Sequence, residues 1–127
     1  MRFLLDTQLI LWLTIAPERL SPAACDIIQD RDHELFFSAV SIWEVAIKRA
    51  LGRANFNVDP RELRAVLIDD ACCELPFTSL HAIGIETLPS IHRDPFDRAL
   101  LAQAGKEGLT LLTSDRELGR YPGTLRA

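Results

Sequence analysis

The sequence predicts a three-layer α/β domain, with a short, mostly parallel sheet of four to five strands and helices on both faces. Two observations carry this. Short apolar, β-rich runs alternate with stretches of helical periodicity along the whole chain, and the helical stretches open and close on recognisable cap residues. Strands separated by helices cannot pair as hairpins, so the alternation calls for crossover connections and a parallel sheet covered on both sides.

The first strand is Phe3 to Leu5. Asp6-Thr7 ends it, and Leu9, Ile10, Trp12 and Leu13 then recur at helical spacing. Ser21-Pro22 is an N-cap and first-turn pair opening a helix from Ala23 to Gln29. Leu35 to Phe37 forms the second strand, followed by a helix from Ile42 to Leu51 that Gly52 stops. Asp59-Pro60 opens a helix through Asp69, and Cys72 to Leu75 is a third strand ended by Pro76. A helix over Ser79 to Glu86 has Gly84 inside it. Asp94-Pro95 opens the clearest helix, Phe96 to Lys106, with Gly108 beyond its end. Leu109 to Leu112 is the fourth strand, Arg116 to Gly119 a helical turn, and Gly123 to Arg126 a last edge strand. No repeat, linker or low-complexity tract divides the 127 residues, so one domain is expected over 1–127.

Composition narrows the function. Hydrophobic residues are 48% and charged residues 25%, which excludes a mostly disordered chain. Lys plus Arg number 14 against 18 Asp plus Glu, a net charge of −4, which argues against holding nucleic acid by charge alone. Three cysteines, Cys25, Cys72 and Cys73, offer neither an even framework nor a CxxC spacing, and free buried thiols in a reducing cytoplasm are expected. Asp6 and Pro17 break the N-terminal apolar run as a secretory signal, and no stretch reaches membrane-spanning length, so a cytoplasmic protein is expected.

Acids recur in one context. Asp6 ends the first strand, Glu44 falls in the first turn of the helix after the second, Asp97 in the first turn of the long helix, and Asp115 beyond the fourth strand with two residues between. In a parallel α/β sheet, strand C-termini and the N-termini of the following helices share one edge, so these residues are expected to converge. Each acid also has a purely structural reading. Ser41 to Glu44 and Ser114 to Glu117 are capping-box patterns, Asp94 to Asp97 reads as N-cap to N3, and Asp6 can cap the first helix. Carboxylates gathered together repel unless cations or protons offset them. Hard oxygen donors suit Mg²⁺ or Mn²⁺, ions able to activate water and to hold phosphate. Arg93, Arg98 and Arg116 flank the acids, either as ordinary surface charges or to offset the local negative charge and contact phosphate. His92 shows no metal-ligand spacing and reads as a loop residue or as one supporting the acids from behind, and Trp12 and Trp43 sit in apolar stripes that suit core or interface.

The strings LLDT (Leu4 to Thr7), SIWEVAIK (Ser41 to Lys48), HRDPFDRALLAQA (His92 to Ala104) and LLTSD (Leu111 to Asp115) resemble the PIN domain, and within it the VapC-type toxins of bacterial toxin–antitoxin pairs. The resemblance spans nearly the whole chain, in order. It implies a PIN-like fold and a Mg²⁺- or Mn²⁺-dependent endoribonuclease acting on RNA. It also implies a homodimer, or a larger toxin–antitoxin assembly, held inactive by a cognate antitoxin. Asp6, Glu44, Asp97 and Asp115 carry over as catalytic and metal-binding acids, with Asp94 contributing through water, and Thr7, Ser41 and Thr113 match hydroxyl positions beside them. Two other classes remain open on the residues alone. One is a non-catalytic α/β interaction module whose acids are caps. The other is a receiver- or phosphatase-like domain phosphorylated on Asp6, which is disfavoured because LLDTQ lacks a paired Asp-x-Asp at Asp6 and no lysine follows a late strand.

Overall fold

The computed structural model describes residues 1–52 and 56–127. In chain order the elements are β1 (Arg2–Leu5), α1 (Thr7–Ile15), α2 (Pro22–Gln29), β2 (Glu34–Ser38), α3 (Ala39–Ala50), α4 (Pro60–Asp69), β3 (Cys73–Leu75), α5 (Ser79–Gly84), α6 (Pro95–Glu107), β4 (Thr110–Thr113) and β5 (Thr124–Arg126). Short 3₁₀ turns occur at Pro17–Arg19, Ile85–Thr87 and Leu118–Arg120. The five strands form one sheet in the order β3-β2-β1-β4-β5, and every pairing is parallel.

Side-chain alternation explains the three layers. Successive residues of a strand point to opposite faces, and in β1 both faces are apolar. Phe3 and Leu5 join Phe37 and Leu112 in a core completed by Leu9 and Ile10 of α1 and Leu63 and Leu67 of α4. Leu4 and Leu111 face the other way, onto Leu100, Leu101 and Ala104 of α6. Each central strand is therefore sealed on both sides.

Caps set most boundaries where the sequence placed them. Ser21 caps α2, Asp59 caps α4, and Asp94 caps α6 through two backbone N–H groups. Gly108 closes α6 in the left-handed conformation (φ 68°), which a residue without Cβ adopts freely.

Two boundaries differ from expectation in ways that matter. The helix expected from Ile42 begins at Ala39, because the Ser38 hydroxyl accepts from the Val40 N–H and acts as the cap. Ser41 to Glu44 is therefore not a capping box, and Glu44 sits in the helix body rather than its first turn. The helix expected to reach Glu86 ends at Gly84 and tightens into the 3₁₀ turn at Ile85–Thr87. Among the described residues no helix is long and apolar enough to cross a membrane. Cys25, Cys72 and Cys73 are free thiols, but only Cys72 is buried as expected: Cys25 is partly buried and Cys73 exposed.

Candidate active site

The strand order locates the site. From β1 the chain moves outward to β2 and β3, then returns to lay β4 and β5 on the other side. The crossovers diverge between β1 and β4, and their C-terminal ends leave a crevice there. Asp6 and Thr113 lie at those two ends. The Asp6 N–H donates to the Leu112 carbonyl (3.0 Å), extending the β1–β4 pairing by one step.

Asp6 is 3% exposed. Its Oδ1 accepts from the Leu9 N–H (2.8 Å), capping α1, and its Oδ2 accepts from the Thr113 hydroxyl. Burial pushes its pKa up from 3.8 to about 6, against the pull of the Thr113 and Leu9 hydrogen bonds and with a further push from Asp115. The Thr7 and Ser41 hydroxyls are bonded to each other at 2.8 Å, tying the start of α1 to α3. Thr113 Oγ1 also accepts the Asp115 N–H (3.0 Å). Thr113 thus braces Asp6 and Asp115, while Thr7 and Ser41 brace each other.

Glu44, 7% exposed, reaches the same crevice from α3. Lys48, one turn along, donates to its Oε2 at 2.8 Å, while Oε1 is buried with no partner. Asp97 stands at the third position of α6. Burial, the Asp94 charge, and to a lesser degree Glu44 and Asp6 raise its pKa to about 7, with His92 opposing them. Asp94 spends one carboxylate oxygen on the Phe96 and Asp97 N–H groups (2.8 and 3.2 Å). Asp115 is exposed and accepts from the Glu117 and Leu118 N–H groups (2.7 and 3.2 Å), so this turn is capped by Asp115 rather than by Ser114. All five acids line one pocket of about 230 Å³.

The flanking arginines divide. Arg93 and Arg116 are exposed. Arg98 is not free to meet phosphate, because its guanidinium donates to the carbonyls of Ile85, Pro89 and His92 (3.1 to 3.3 Å) and holds that loop on α6. Of the tryptophans, Trp43 is not in the core: it is 57% exposed and meets Phe96 edge to face at 5.0 Å.

Two residues near the acids, Lys48 and Tyr121, escape sequence reasoning, and His92, read from sequence as a loop or supporting residue, comes closer to the acids than its spacing suggested. Lys48 could have been found from its i, i+4 spacing to Glu44. His92 brings Nε2 to 2.9 Å from Asp97 Oδ2, and the ligand atoms of His92, Asp97 and Asp115 fall within 4.8 Å of one another. Tyr121, 29 residues further along, gives no sequence signal. Its buried phenol accepts from the Ile91 and His92 N–H groups (3.1 and 2.7 Å) and donates to the Pro89 carbonyl (3.0 Å), which fixes the loop carrying His92.

Five carboxylates and one lysine line the pocket. Two of the acids sit well above their ordinary pKa, and one buried carboxylate oxygen has nothing to accept from. A set of oxygen donors in that state fits a divalent cation.

The chain has relatives that share this fold. A family model described as the PIN domain matches residues 3–123. Ribonuclease VapC22 of Mycobacterium tuberculosis H37Rv is 30% identical over 115 residues, covering 91% of this chain and 88% of that protein. Among solved structures, the crystal structure of VapBC2 from Rickettsia felis, bound to a DNA fragment from their promoter, matches with a TM-score of 0.71 at 12% identity, over 100% of this chain and 98% of that one. A toxin–antitoxin complex from Klebsiella pneumoniae matches with a TM-score of 0.65 at 17% identity, over 96% and 94%. At those identities the solved structures speak for the fold, and the sequence matches speak for descent. The chain belongs to the PIN domain family.

Proposed function

We propose that this protein is a divalent-metal-dependent endoribonuclease, the toxin of a toxin–antitoxin pair. The observation that carries the proposal is the buried, unpartnered Oε1 of Glu44 in a pocket shared with Asp6, Asp94, Asp97 and Asp115. Evolution of a stable fold alone gives no reason to leave a carboxylate oxygen unsatisfied among four other acids. The kinship with a protein named as a ribonuclease supports RNA as the substrate.

In this reading Asp6, Glu44, Asp97 and Asp115 hold Mg²⁺ or Mn²⁺, with Asp94 acting through water. The bound cation supplies an activated water and offsets charge on the phosphodiester. The chain's own part is orientation. The Leu9 N–H and Thr113 hydroxyl clamp both oxygens of Asp6, and the Thr7–Ser41 bond holds α1 against the helix that presents Glu44. Arg93 and Arg116, exposed beside the acids, meet RNA phosphate. Attack by water at phosphorus with departure of the 3′ oxygen gives 5′-phosphate and 3′-hydroxyl ends, with no role for the 2′-hydroxyl. We assign the protein to the cytoplasm, as a homodimer, with a cognate antitoxin whose arginine-bearing tail lies over the acidic edge. A small reading frame directly upstream of the gene is the expected source of that antitoxin.

One observation favours the non-catalytic alternative, since Asp6, Asp94 and Asp115 do cap backbone N–H groups. Glu44 and Asp97 cap nothing among the described residues, and caps alone do not explain them. Incubation of cellular RNA with the purified protein, followed by end mapping, tests the proposal. Cleavage with Mg²⁺ or Mn²⁺, lost in EDTA and in Asp97→Asn, is expected. Undiminished cleavage by that variant in EDTA refutes it.

A further inference from the structure

His92 stands outside the acidic set, yet three features single it out. Its Nε2 is buried with no aligned hydrogen-bond partner, although Asp97 Oδ2 is only 2.9 Å away. That separation is close to the roughly 3 Å between adjacent ligand atoms on an octahedral ion with bonds near 2.1 Å. Asp115 brings a third ligand atom within 4.8 Å of both, from a different part of the chain.

The second feature is what stands behind the ring. Glu117 Oε2 lies 3.4 Å from Nδ1. A metal-bound imidazole commonly donates its other N–H to a carboxylate, which fixes the tautomer and strengthens the donor nitrogen. With Nε2 given to a cation, Nδ1 carries the proton toward Glu117. The Arg93 N–H, which now donates to Nδ1 at 3.0 Å from an exposed position, passes to water.

The third feature is rigidity. The Tyr121 phenol holds the Ile91 and His92 N–H groups, and the Arg98 guanidinium holds the His92 carbonyl. The backbone of His92 is thus gripped on both its N–H and its C=O, as a ligand's must be for close positioning. Glu44, with its own unpartnered buried oxygen, lines the pocket that Asp97 and Asp115 line.

We propose that His92 is a metal ligand, completing with Asp97 and Asp115 a mixed nitrogen–oxygen site at the rim of the acidic pocket, and that it makes the protein prefer a first-row transition ion such as Mn²⁺ over Mg²⁺. The inference rests on the metal-dependent reading above and sharpens it. Imidazole nitrogen binds transition ions well, whereas Mg²⁺ favours an all-oxygen shell. An all-carboxylate site has no such means of telling the two ions apart.

The test uses the full chain, freed of metal and titrated with MnCl₂ or MgCl₂. Pulsed electron paramagnetic resonance on the Mn²⁺ form reads nitrogen coordination without any variant. An imidazole ¹⁴N coupling is expected, distinct from any weaker coupling to the Lys48 amine beside Glu44, and its source among the histidines is unambiguous. His81 uses Nδ1 on the Thr78 N–H and Nε2 on Glu107, and His33 faces the N-terminal amine and Asp30. Calorimetry on His92→Gln should show Mn²⁺ affinity lowered about tenfold or more, with Mg²⁺ affinity changed much less. Mn²⁺ bound without ¹⁴N coupling overturns the proposal and leaves the nuclease reading standing. Equal weakening of both ions in His92→Gln also overturns it, because a residue that merely positions Asp97 would affect both alike. Failure of the wild-type chain to bind either ion overturns this inference and the metal-dependent reading together.

Discussion

Replacing Asp6 with asparagine is expected to stabilise the metal-free protein at pH 8 while removing its response to divalent cations. Asp6 is held at a pKa of about 6 in the fold against 3.8 for the free side chain, chiefly because it is buried. A gap of about 2 units at about 1.4 kcal/mol each makes the ionised carboxylate destabilising by roughly 3 kcal/mol well above pH 6. The direction follows from linkage. A carboxyl whose folded pKa is raised favours folding most when protonated, below about pH 4, and that advantage is lost as pH rises through 6. Asparagine is neutral throughout. Its carbonyl still accepts the Leu9 N–H, but its amide must replace the oxygen that now accepts from Thr113, and the hydroxyl has to turn to become the acceptor. Allowing about 1 kcal/mol for that exchange leaves a net gain of about 2 kcal/mol, or roughly 6–10 °C in Tm for a chain of this size. Thermal melts and urea denaturation in EDTA at pH 5 and pH 8 measure it. The advantage of Asp6→Asn should be small at pH 5 and widen by pH 8. Added Mg²⁺ or Mn²⁺ should raise the wild-type Tm and not the variant's, reversing the order. An advantage that does not widen with pH, or a variant less stable than wild type at pH 8 in EDTA, refutes burial as the cause of the shift.

Two further expectations concern residues that hold the site rather than form it. Gln103 is fully buried, with Oε1 accepting from the Ser38 hydroxyl and Nε2 donating to the Pro76 carbonyl, so it latches α6 to the cap of α3. Gln103→Leu should lower stability by about 2–3 kcal/mol in urea denaturation, since two partners lose their bonds; a change below about 0.5 kcal/mol would contradict that role. Tyr121→Phe removes one acceptor from two backbone N–H groups and one donor from Pro89. It should speed hydrogen exchange at Ile91 and His92 by about tenfold or more and weaken Mn²⁺ binding, with exchange elsewhere in β1 and β4 unchanged.

Much of the architecture is legible before folding because its signals are local. Ser21-Pro22, Asp59-Pro60 and Asp94-Pro95 announce helix starts within two or three residues, and all three cap as read. The misplaced start of α3 is instructive. Ser38 and Ser41 both offer a hydroxyl of the right chemistry, and the choice depends on where β2 lets go of the sheet. Pairing ends at Ser38, so the cap falls there and Ser41 is freed to bond Thr7.

The site divides along the same line. Acids just beyond apolar β-rich runs, and the string around Asp94 and Asp97, identify a carboxylate edge because strand period and helix capping are written in neighbouring residues. Net charge illustrates the limit of composition. The −4 that argued against nucleic acid equals the number of acids expected at the site, and only their placement in one pocket changes its meaning. Tertiary structure alone decided that Thr113 reaches Asp6 across 107 residues, that Glu44 is left with an unpartnered oxygen, that Arg98 serves a loop, and that Tyr121 delivers His92 to Asp97. The reason is physical. Caps and periodicity act over one turn, whereas these contacts depend on the strand order β3-β2-β1-β4-β5, which is set by the packing of both sheet faces at once and by no single stretch of chain.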